Sequence, residues 1–249
     1  MEPKVIFEDD SILILDKPAG WITNDAETTR NQPTVQEWLR RNFSRKAGSG
    51  YARQFLLAQD KEFRSGIVHR LDKETSGVLL VAKTKESFEN LQAQFKSRGV
   101  KKIYTALVHG KVEPEEGVVN APVGRLPWNR ERFGILPGGR SAETAYKVVT
   151  YCQLQTRSYT LVELYPKTGR THQIRIHLKY LGHPIVADEF YAGRKTSRAD
   201  RKWCPRLFLH AGGISFNHPT SAEKVEFKSE LPSDLEKSLD SLEKLPRTP

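Results

Sequence analysis

The stretch His69-Arg-Leu-Asp-Lys-Glu-Thr-Ser-Gly77 runs directly into the apolar segment Val78-Leu-Leu-Val-Ala82. The apolar segment reads as a buried strand, so charged residues of both signs lie beside a core element without a packing reason. A loop carried by a rigid strand is how active-site residues are usually presented. By itself the pattern also fits a solvated loop, and the surrounding sequence has to decide between the two interpretations.

Outward from this strand, short apolar runs alternate with helical patterns. Strands are predicted at 5–7, 12–15, 77–83, 101–108, 145–151, 159–165, 207–209, 214–216 and 225–227. Helices are predicted at 34–43, 84–99, 172–181 and 233–243, with Thr34, Thr84, Thr171 and Ser233 as N-terminal caps and Gly99 and Gly182 as stops. Segments 44–65, 110–140 and 193–205 read as irregular loops. Residues 1–249 are therefore predicted to form a single α+β domain, with a core of about 5–228 and a C-terminal helix at about 233–243.

The strand at 77–83, the helix after it and the strand at 101–108 follow one another as in a crossover unit. If the two strands are parallel, Asp72 and Tyr104 lie towards the same end of the sheet and share one cleft. An antiparallel arrangement would separate them.

The composition points to a polyanionic partner. Lys and Arg number 40 against 30 Asp and Glu, a net charge of +10, and such an excess favours nucleic acid. The basic residues cluster in the predicted loops, around 40–53, 125–140 and 194–202. No apolar run approaches the roughly 20 residues that span a bilayer, and no secretory signal is visible. Cys152 and Cys204 lack a C-x-x-C setting, which predicts free thiols in a cytoplasmic protein.

The sequence offers little for metal or cofactor chemistry, and we expect neither. His172 and His177 are five residues apart, which on a helix places them about 140° apart and not on one metal-binding face. Ser76 lacks the G-x-S-x-G setting of a nucleophilic serine. No phosphate-binding loop and no dinucleotide fingerprint occurs in the chain.

Asp72 is the most promising reactive group. An aspartate is ionised at neutral pH and can act as a nucleophile without an activating base, provided that a cation offsets its desolvation. The segment Thr168-Gly-Arg-Thr-His-Gln-Ile-Arg175 places Arg170 and Arg175 on a turn and the following helix. These arginines either serve that purpose, bind phosphate or lie on the surface. A hydrolase with Asp72 and Glu74 as paired carboxylates is a less favoured alternative.

Several motifs occur together and in order, which is more specific than any one alone. They are Asp9-Asp10, Lys17-Pro-Ala-Gly20, His69-Arg-Leu-Asp72 with Thr75-Ser-Gly77, Lys102 with Tyr104 and Ala106, Thr168 to Arg175, Gly182-His-Pro-Ile185 with Asp188 and Tyr191, and Leu209-His-Ala211. Over residues 5–228 or so, this set resembles the RluA-type family of RNA pseudouridine synthases. The resemblance implies the pseudouridine synthase fold, a mixed and mostly antiparallel sheet flanked by helices and long loops, in the short form without an N-terminal S4 domain.

The resemblance also implies roles for individual residues. Asp72 matches the aspartate that attacks the flipped uridine, and Arg175 matches the basic residue that pairs with it. Tyr104 matches the tyrosine that stacks on the uracil and is proposed to take the C5 proton. Arg70 matches an arginine that fills the space left by the flipped base. Leu209 or Leu207 is expected to form the apolar wall beside the base, and Arg170 to contact substrate.

The implied activity is the isomerisation of specific uridines in stem-loops of ribosomal or transfer RNA, by a monomer that uses no metal and no redox cofactor. Flipping a base costs a few kcal/mol, which favours loops over duplexes. The loops 44–65 and 193–205 are expected to contribute RNA contacts. An inactive RNA-binding protein of the same fold is the alternative. Asp16 stands where the family often has Asn, and Ala187 where it usually has Gly.

Overall fold

The structure, a computed structural model, describes residues 1–26, 29, 31–43, 62–127 and 129–245. The strands are β1 Lys4–Glu8, β2 Ile12–Lys17, β3 Ser76–Ala82, β4 Lys101–His109, β5 Glu116–Asn120, β6 Val123–Leu126, β7 Asn129–Ile135, β8 Glu143–Leu154, β9 Arg157–Pro166, β10 Leu209–Asn217, β11 Lys224–Lys228 and β12 Glu243–Leu245. The helices are α1 Val35–Phe43, α2 Lys85–Lys96, α3 Gln173–Tyr180, α4 Arg194–Asp200 and α5 Ser233–Asp240. This is a mixed α+β fold with a large, mostly antiparallel sheet, as predicted.

The chain groups into two compact units, the first comprising residues 1–100 and 213–230. Its centre is the antiparallel pair β2–β3, with Ile12 opposite Ala82 and Lys17 opposite Gly77. Every residue of β3 is buried, as are Ile12–Leu15 of β2. Strands buried on both faces have continuous apolar sequences, which explains why β2 and β3 were predictable from the sequence. The edge strand β1 pairs with β2 and remains exposed.

The second unit comprises residues 101–212 and 231–249. Its centre is the long antiparallel pair β8–β9, to which β4 adds beside β9, while β5 and β12 pair with β8. The main core takes side chains from β4, β8 and β9, from α3 and α5, and from the buried segment around Leu207. Burying these apolar side chains is the dominant stabilising term for the unit.

Three predicted loops or runs need correction. Residues 110–140 contain β5, β6 and β7, because strands of four to seven residues separated by prolines show no period over a longer window. The runs at 207–209 and 214–216 belong to a single strand, β10, which continues through Gly212 and Gly213, although Leu207 precedes it. Segment 193–205 contains helix α4. Residues 44–61 of the predicted loop 44–65 lie outside the described residues.

The predicted helix ends are partly confirmed. Thr34 and Thr84 accept hydrogen bonds from the amides of the third residue that follows each, and Gly182 takes the left-handed conformation with φ of 89°. Thr171 and Ser233 are not caps: α3 begins after His172, which has φ of 55°, and α5 begins after Pro232. After α2, the left-handed residue is Arg98, one position before the predicted stop. In the described part of the chain, no helix is long and apolar enough to span a bilayer.

Candidate active site

On the N-terminal side of Asp72, the backbone of the loop is held by a single side-chain hydroxyl. Thr23 Oγ1 donates to the carbonyl of Leu71 at 2.7 Å and accepts from the amide of Leu71 at 3.1 Å. The hydroxyl and the peptide groups that it contacts are buried. Both polar groups of the residue before Asp72 are thereby paired with one side chain that lies 48 positions earlier in the sequence.

On the other side, the carbonyl of Lys73 is held twice. The amide of Gly20 donates to it at 2.8 Å, and the ammonium of Lys17 donates to it at 3.3 Å. Lys17 is fully buried and also donates to the carbonyls of Pro18 and Trp21. A buried ammonium is tolerated when carbonyl oxygens surround it, and here it ties the Lys17–Gly20 turn to the residue after Asp72.

Asp72 also begins a turn, because the amide of Thr75 donates to the Asp72 carbonyl at 3.1 Å. The Asp72 side chain is half-buried, and that of Arg70 is exposed. The hydroxyl of Thr75 is buried and has no hydrogen-bond partner within the residues that the structure describes. His69 has a structural role, since its Nε2 accepts from the amide of Leu80 at 2.9 Å and its ring stacks on Phe95.

We expect Thr23→Val to lower the free energy of unfolding by about 1–3 kcal/mol, because it leaves the buried amide and carbonyl of Leu71 without partners. It should also lower kcat of the activity that the resemblance implies about tenfold with little change in KM, since Asp72, the expected nucleophile, would be displaced in the chemical step. Denaturant unfolding and steady-state assays measure the two effects. Thr150→Val, which removes only a 3.3 Å bond in β8, is the control. Undiminished kcat would contradict the positioning role.

In the second unit, Arg175 is held by a buried carboxylate. Its Nε and Nη2 donate to the two oxygens of Asp188, each at 2.8 Å, and the side chains are 5% and 0% exposed. Asp188 also accepts from the amides of Phe190 and Tyr191. The rings of these two residues lie 5.4 and 5.0 Å from the guanidinium. Salt bridge, amide bonds and rings together fix the orientation of the arginine.

Asp188 is in turn fixed by the residue before it. Ala187 has φ of 60°, a conformation that glycine adopts more readily, so the Gly usual in the family at this position has a conformational reason. The buried carboxylate of Asp200 accepts from the Ala187 amide and from Nε2 of His109, each at 2.9 Å. Asp200 lies on α4, inside the segment that the sequence suggested was a basic loop.

The turn before α3 is organised by Gln173. Its Oε1 accepts from Thr168 Oγ1 and from the amide of Arg170, and its Nε2 donates to the carbonyl of Glu143 and to Thr144 Oγ1. Arg170 itself donates through Nε to the carbonyl of Ser141. These bonds tie the turn to Ser141, Glu143 and Thr144, and they give Arg170 a structural contact besides any contact with substrate.

Tyr104 lies on β4 opposite Leu164 and packs against the main core of the second unit. Leu209, at the start of β10, and Leu207 belong to the same core and are buried. Lys102 shares a face of β4 with Tyr104, because residues two apart on a strand point the same way. Burial lowers the pKa of Lys102 from its ordinary value to about 8.

This partly buried lysine predicts a pH dependence of stability. Between pH 8 and 10.5 the unfolded chain binds more protons at Lys102 than the folded chain, so stability rises with pH through that window. We expect Lys102→Met to be more stable than the wild type at pH 7, by at most about 3 kcal/mol, and the difference to vanish above pH 10.5. Thermal unfolding of both proteins from pH 7 to 11 measures it. A pH-independent difference would contradict this role of burial.

The structure thus places Asp72 and Arg70 in the first unit and Tyr104, Arg170, Arg175 and Leu209 in the second. The sequence did not predict the residues whose hydrogen bonds hold the site residues and their loops in place. These are Lys17, Thr23, Gln173, Asp188 and Asp200. Lys17, Gln173 and Asp188 were noted only as parts of motifs. Asp200 had a usable signal, being the sole acid in a run of basic residues.

The histidines do not assemble a metal site in the described residues, where no three His, Cys, Asp or Glu side chains come together for a metal ion. His177 is fully buried, and burial lowers its pKa. Its Nε2 donates to the carbonyl of Ala121 at 3.0 Å, so Nδ1 accepts from the hydroxyl of Thr144 at 3.0 Å. This neutral imidazole serves packing and not ligation.

Comparison with known proteins decides the family. The sequence model of the family described as RNA pseudouridylate synthase matches residues 11–180. This chain belongs to the RNA pseudouridylate synthase family. It is therefore an RNA pseudouridine synthase, an isomerase, and the resemblance seen in the motifs is confirmed.

Relatives of this synthase include the ribosomal large subunit pseudouridine synthase D of Nitrosomonas europaea, 39% identical over 98% of this chain and 67% of the relative. The ribosomal large subunit pseudouridine synthase C of Vibrio parahaemolyticus is 37% identical over 98% of this chain and 70% of the relative. Among solved structures, human RNA pseudouridylate synthase domain containing 1 superposes with a TM-score of 0.72 at 25% identity, covering 98% of this chain and 89% of that one.

Proposed function

We propose that this pseudouridine synthase isomerises uridine in ribosomal RNA, with Asp72 as its nucleophile. The observation that carries the proposal is the fixed loop: hydrogen bonds from Thr23, Lys17 and Gly20 hold the residues on both sides of Asp72. A half-buried carboxylate whose neighbouring backbone groups are held by hydrogen bonds is pre-organised for attack on one bound atom. Ribosomal RNA is proposed because the relatives from Nitrosomonas europaea and Vibrio parahaemolyticus are named for the large ribosomal subunit.

The reaction moves one bond and one proton. The C1′–N1 bond breaks, the uracil rotates in its pocket, and a C1′–C5 bond forms. The hydrogen on C5 is then lost to a base, for which we propose Tyr104, and N1 gains a proton from solvent. Asp72 attacks the flipped nucleotide, and the covalent bond that it forms breaks again before the product leaves, so the free carboxylate is regenerated. Arg175 is the cation that we propose for the charge of this carboxylate. None of these steps consumes an oxidant or a metal ion.

The remaining residues bind the substrate. Arg70, exposed beside Asp72, fills the space that the flipped base leaves in the RNA. Leu209, in the core against which Tyr104 packs, supplies an apolar wall beside the uracil. Arg170 contacts the RNA from the turn before α3. The buried, unpaired cysteines suit a reducing cytoplasm, where we propose that the enzyme acts as a monomer.

Release of tritium from RNA carrying 5-³H-uridine tests the activity, since the C5 hydrogen is lost to water in the reaction. Purified protein is incubated with unmodified large-subunit ribosomal RNA transcribed in vitro and, in parallel, with a mixture of transfer RNA transcripts. We expect release from the ribosomal transcript. Release from transfer RNA alone would correct the substrate, and release from neither would contradict the proposed function.

A further inference from the structure

Helix α4 has one basic face and one buried polar face. At 100° per residue, five exposed cations fall within an arc of about 120°: Arg194, Lys195, Arg198, Arg201 and Lys202, the last two in the turn that follows the helix. The opposite side carries Ser197 and Asp200, which are 2% and 0% exposed. An ordinary solvated helix mixes charges of both signs, whereas this face carries one sign only.

Most charges of this basic face are directed to solvent, although Arg201 also donates to the carbonyl of Ala187. In the described part of the chain, Arg194, Lys195, Arg198 and Lys202 form no ion pair. Helix α1 shows the contrast, because its Glu37 pairs with both Arg40 and Arg41. The one acid between 193 and 205 is Asp200, whose carboxylate is buried and directed at Ala187 and His109. The helix therefore keeps a concentrated positive surface towards solvent.

The polar face docks α4 to the backbone next to Asp188. Asp200 accepts from the amide of Ala187 at 2.9 Å, while the carbonyl of Ala187 accepts from Ser197 Oγ and Arg201 Nη2, each at 3.4 Å. The amide and the carbonyl of the buried residue Ala187 are thus both hydrogen-bonded to the helix and the turn after it. A basic surface held this firmly loses little conformational entropy when a ligand binds to it.

We propose that the exposed face of α4 is an RNA-binding surface that grips successive phosphates of one strand. The seven residues of the helix extend over about 10 Å, the axial length of about three nucleotides. The cations on the face have no apolar residue among them, which favours a phosphate backbone over insertion into a membrane surface. The inference rests on the proposed function insofar as the bound polyanion is the substrate RNA.

This surface also has a place in the site. Phosphates bound on α4 lie on a helix that fixes Ala187, and Ala187 precedes the carboxylate that orients Arg175. The RNA backbone is thereby registered against the element that holds the site arginine. Phosphate contacts of this kind position a substrate and carry no sequence information.

The salt dependence of binding tests the surface. The variant replaces four cations with glutamine: Arg194→Gln, Lys195→Gln, Arg198→Gln and Lys202→Gln. The control makes the same change of net charge at four exposed cations elsewhere in the same unit: Lys147→Gln, Arg157→Gln, Lys237→Gln and Lys244→Gln. The probe is a fluorescein-labelled RNA hairpin, with fluorescence anisotropy recorded between 50 and 400 mM KCl.

Each lost phosphate contact reduces the slope of log K against log salt concentration by about 0.7–0.9. We expect the α4 variant to show a slope shallower by about 3 and at least tenfold weaker binding at 100 mM salt, with the control within 0.5 of the wild type. Equal slopes for variant and control would overturn the proposal. In a parallel measurement with vesicles of anionic lipid, a variant that loses binding to the vesicles but keeps binding to the hairpin would also overturn it. Tritium release by the wild type is scored separately, so that failure of the α4 surface and failure of the proposed function are distinct results.

Discussion

Asp72→Asn is expected to reduce tritium release from 5-³H-uridine RNA by at least about 10³-fold, because an amide replaces the attacking carboxylate without a change of size. The backbone bonds of Thr23, Lys17 and Gly20 do not involve the altered side chain. The free energy of unfolding should therefore change by less than about 1 kcal/mol, and RNA affinity should remain.

Glu74→Gln is the matched control for this substitution. Glu74 is half-buried like Asp72, lies in the same turn and undergoes the same chemical change. We expect it to keep at least half of the wild-type rate. If Asp72→Asn retained more than a tenth of the activity, the carboxylate would not be the nucleophile. If Glu74→Gln were the inactive variant, the less favoured interpretation of Asp72 and Glu74 as paired carboxylates would have to be reconsidered.

The second large effect concerns the buried Arg175–Asp188 pair. Asp188→Leu leaves the guanidinium buried without its carboxylate, which is expected to cost about 3–5 kcal/mol of stability. The double variant Arg175→Met with Asp188→Leu removes both charges and should recover most of that loss. Activity should be lost in both variants, because the arginine is mispositioned in one and absent in the other.

Urea unfolding and tritium release together measure these effects. Arg206→Met is the control, because the Arg206–Asp234 pair has similar bonds of 2.6 and 3.0 Å but an Asp234 side chain that is 40% exposed. It should cost less than about 1 kcal/mol. A double variant that is no more stable than Asp188→Leu alone would show that the cost comes from packing and not from the unpaired charge.

The fold was predictable where burial is complete on both faces. Every residue of Val78–Ala82 and of Ile12–Leu15 is buried, so the apolar runs are continuous and mark β3 and β2. The region 110–140 escaped prediction because its strands are short. In α4 the basic residues that suggested a loop are the exposed face of a helix, whose buried face is made of polar residues and so leaves no apolar stripe.

The local sequence pattern singles out the candidate reactive residues but not the residues that hold them in place. Asp72 stands out locally, since charges next to a buried strand are unusual. Thr23 lies 48 residues before Leu71, and Asp200 lies 91 residues after His109. Contacts at such distances along the chain leave no local pattern. Thr171 was mistaken for a cap because α3 starts one residue later, after a left-handed His172 that the sequence does not reveal.

Nucleoside analysis tests the central claim most directly. Ribosomal RNA transcript is treated with wild-type protein, digested to nucleosides and separated by chromatography, which resolves pseudouridine from uridine although their masses are equal. We expect one pseudouridine for each tritium released, and none after treatment with Asp72→Asn. Tritium release without pseudouridine, or RNA that contains only uridine after treatment with the wild type, would contradict it.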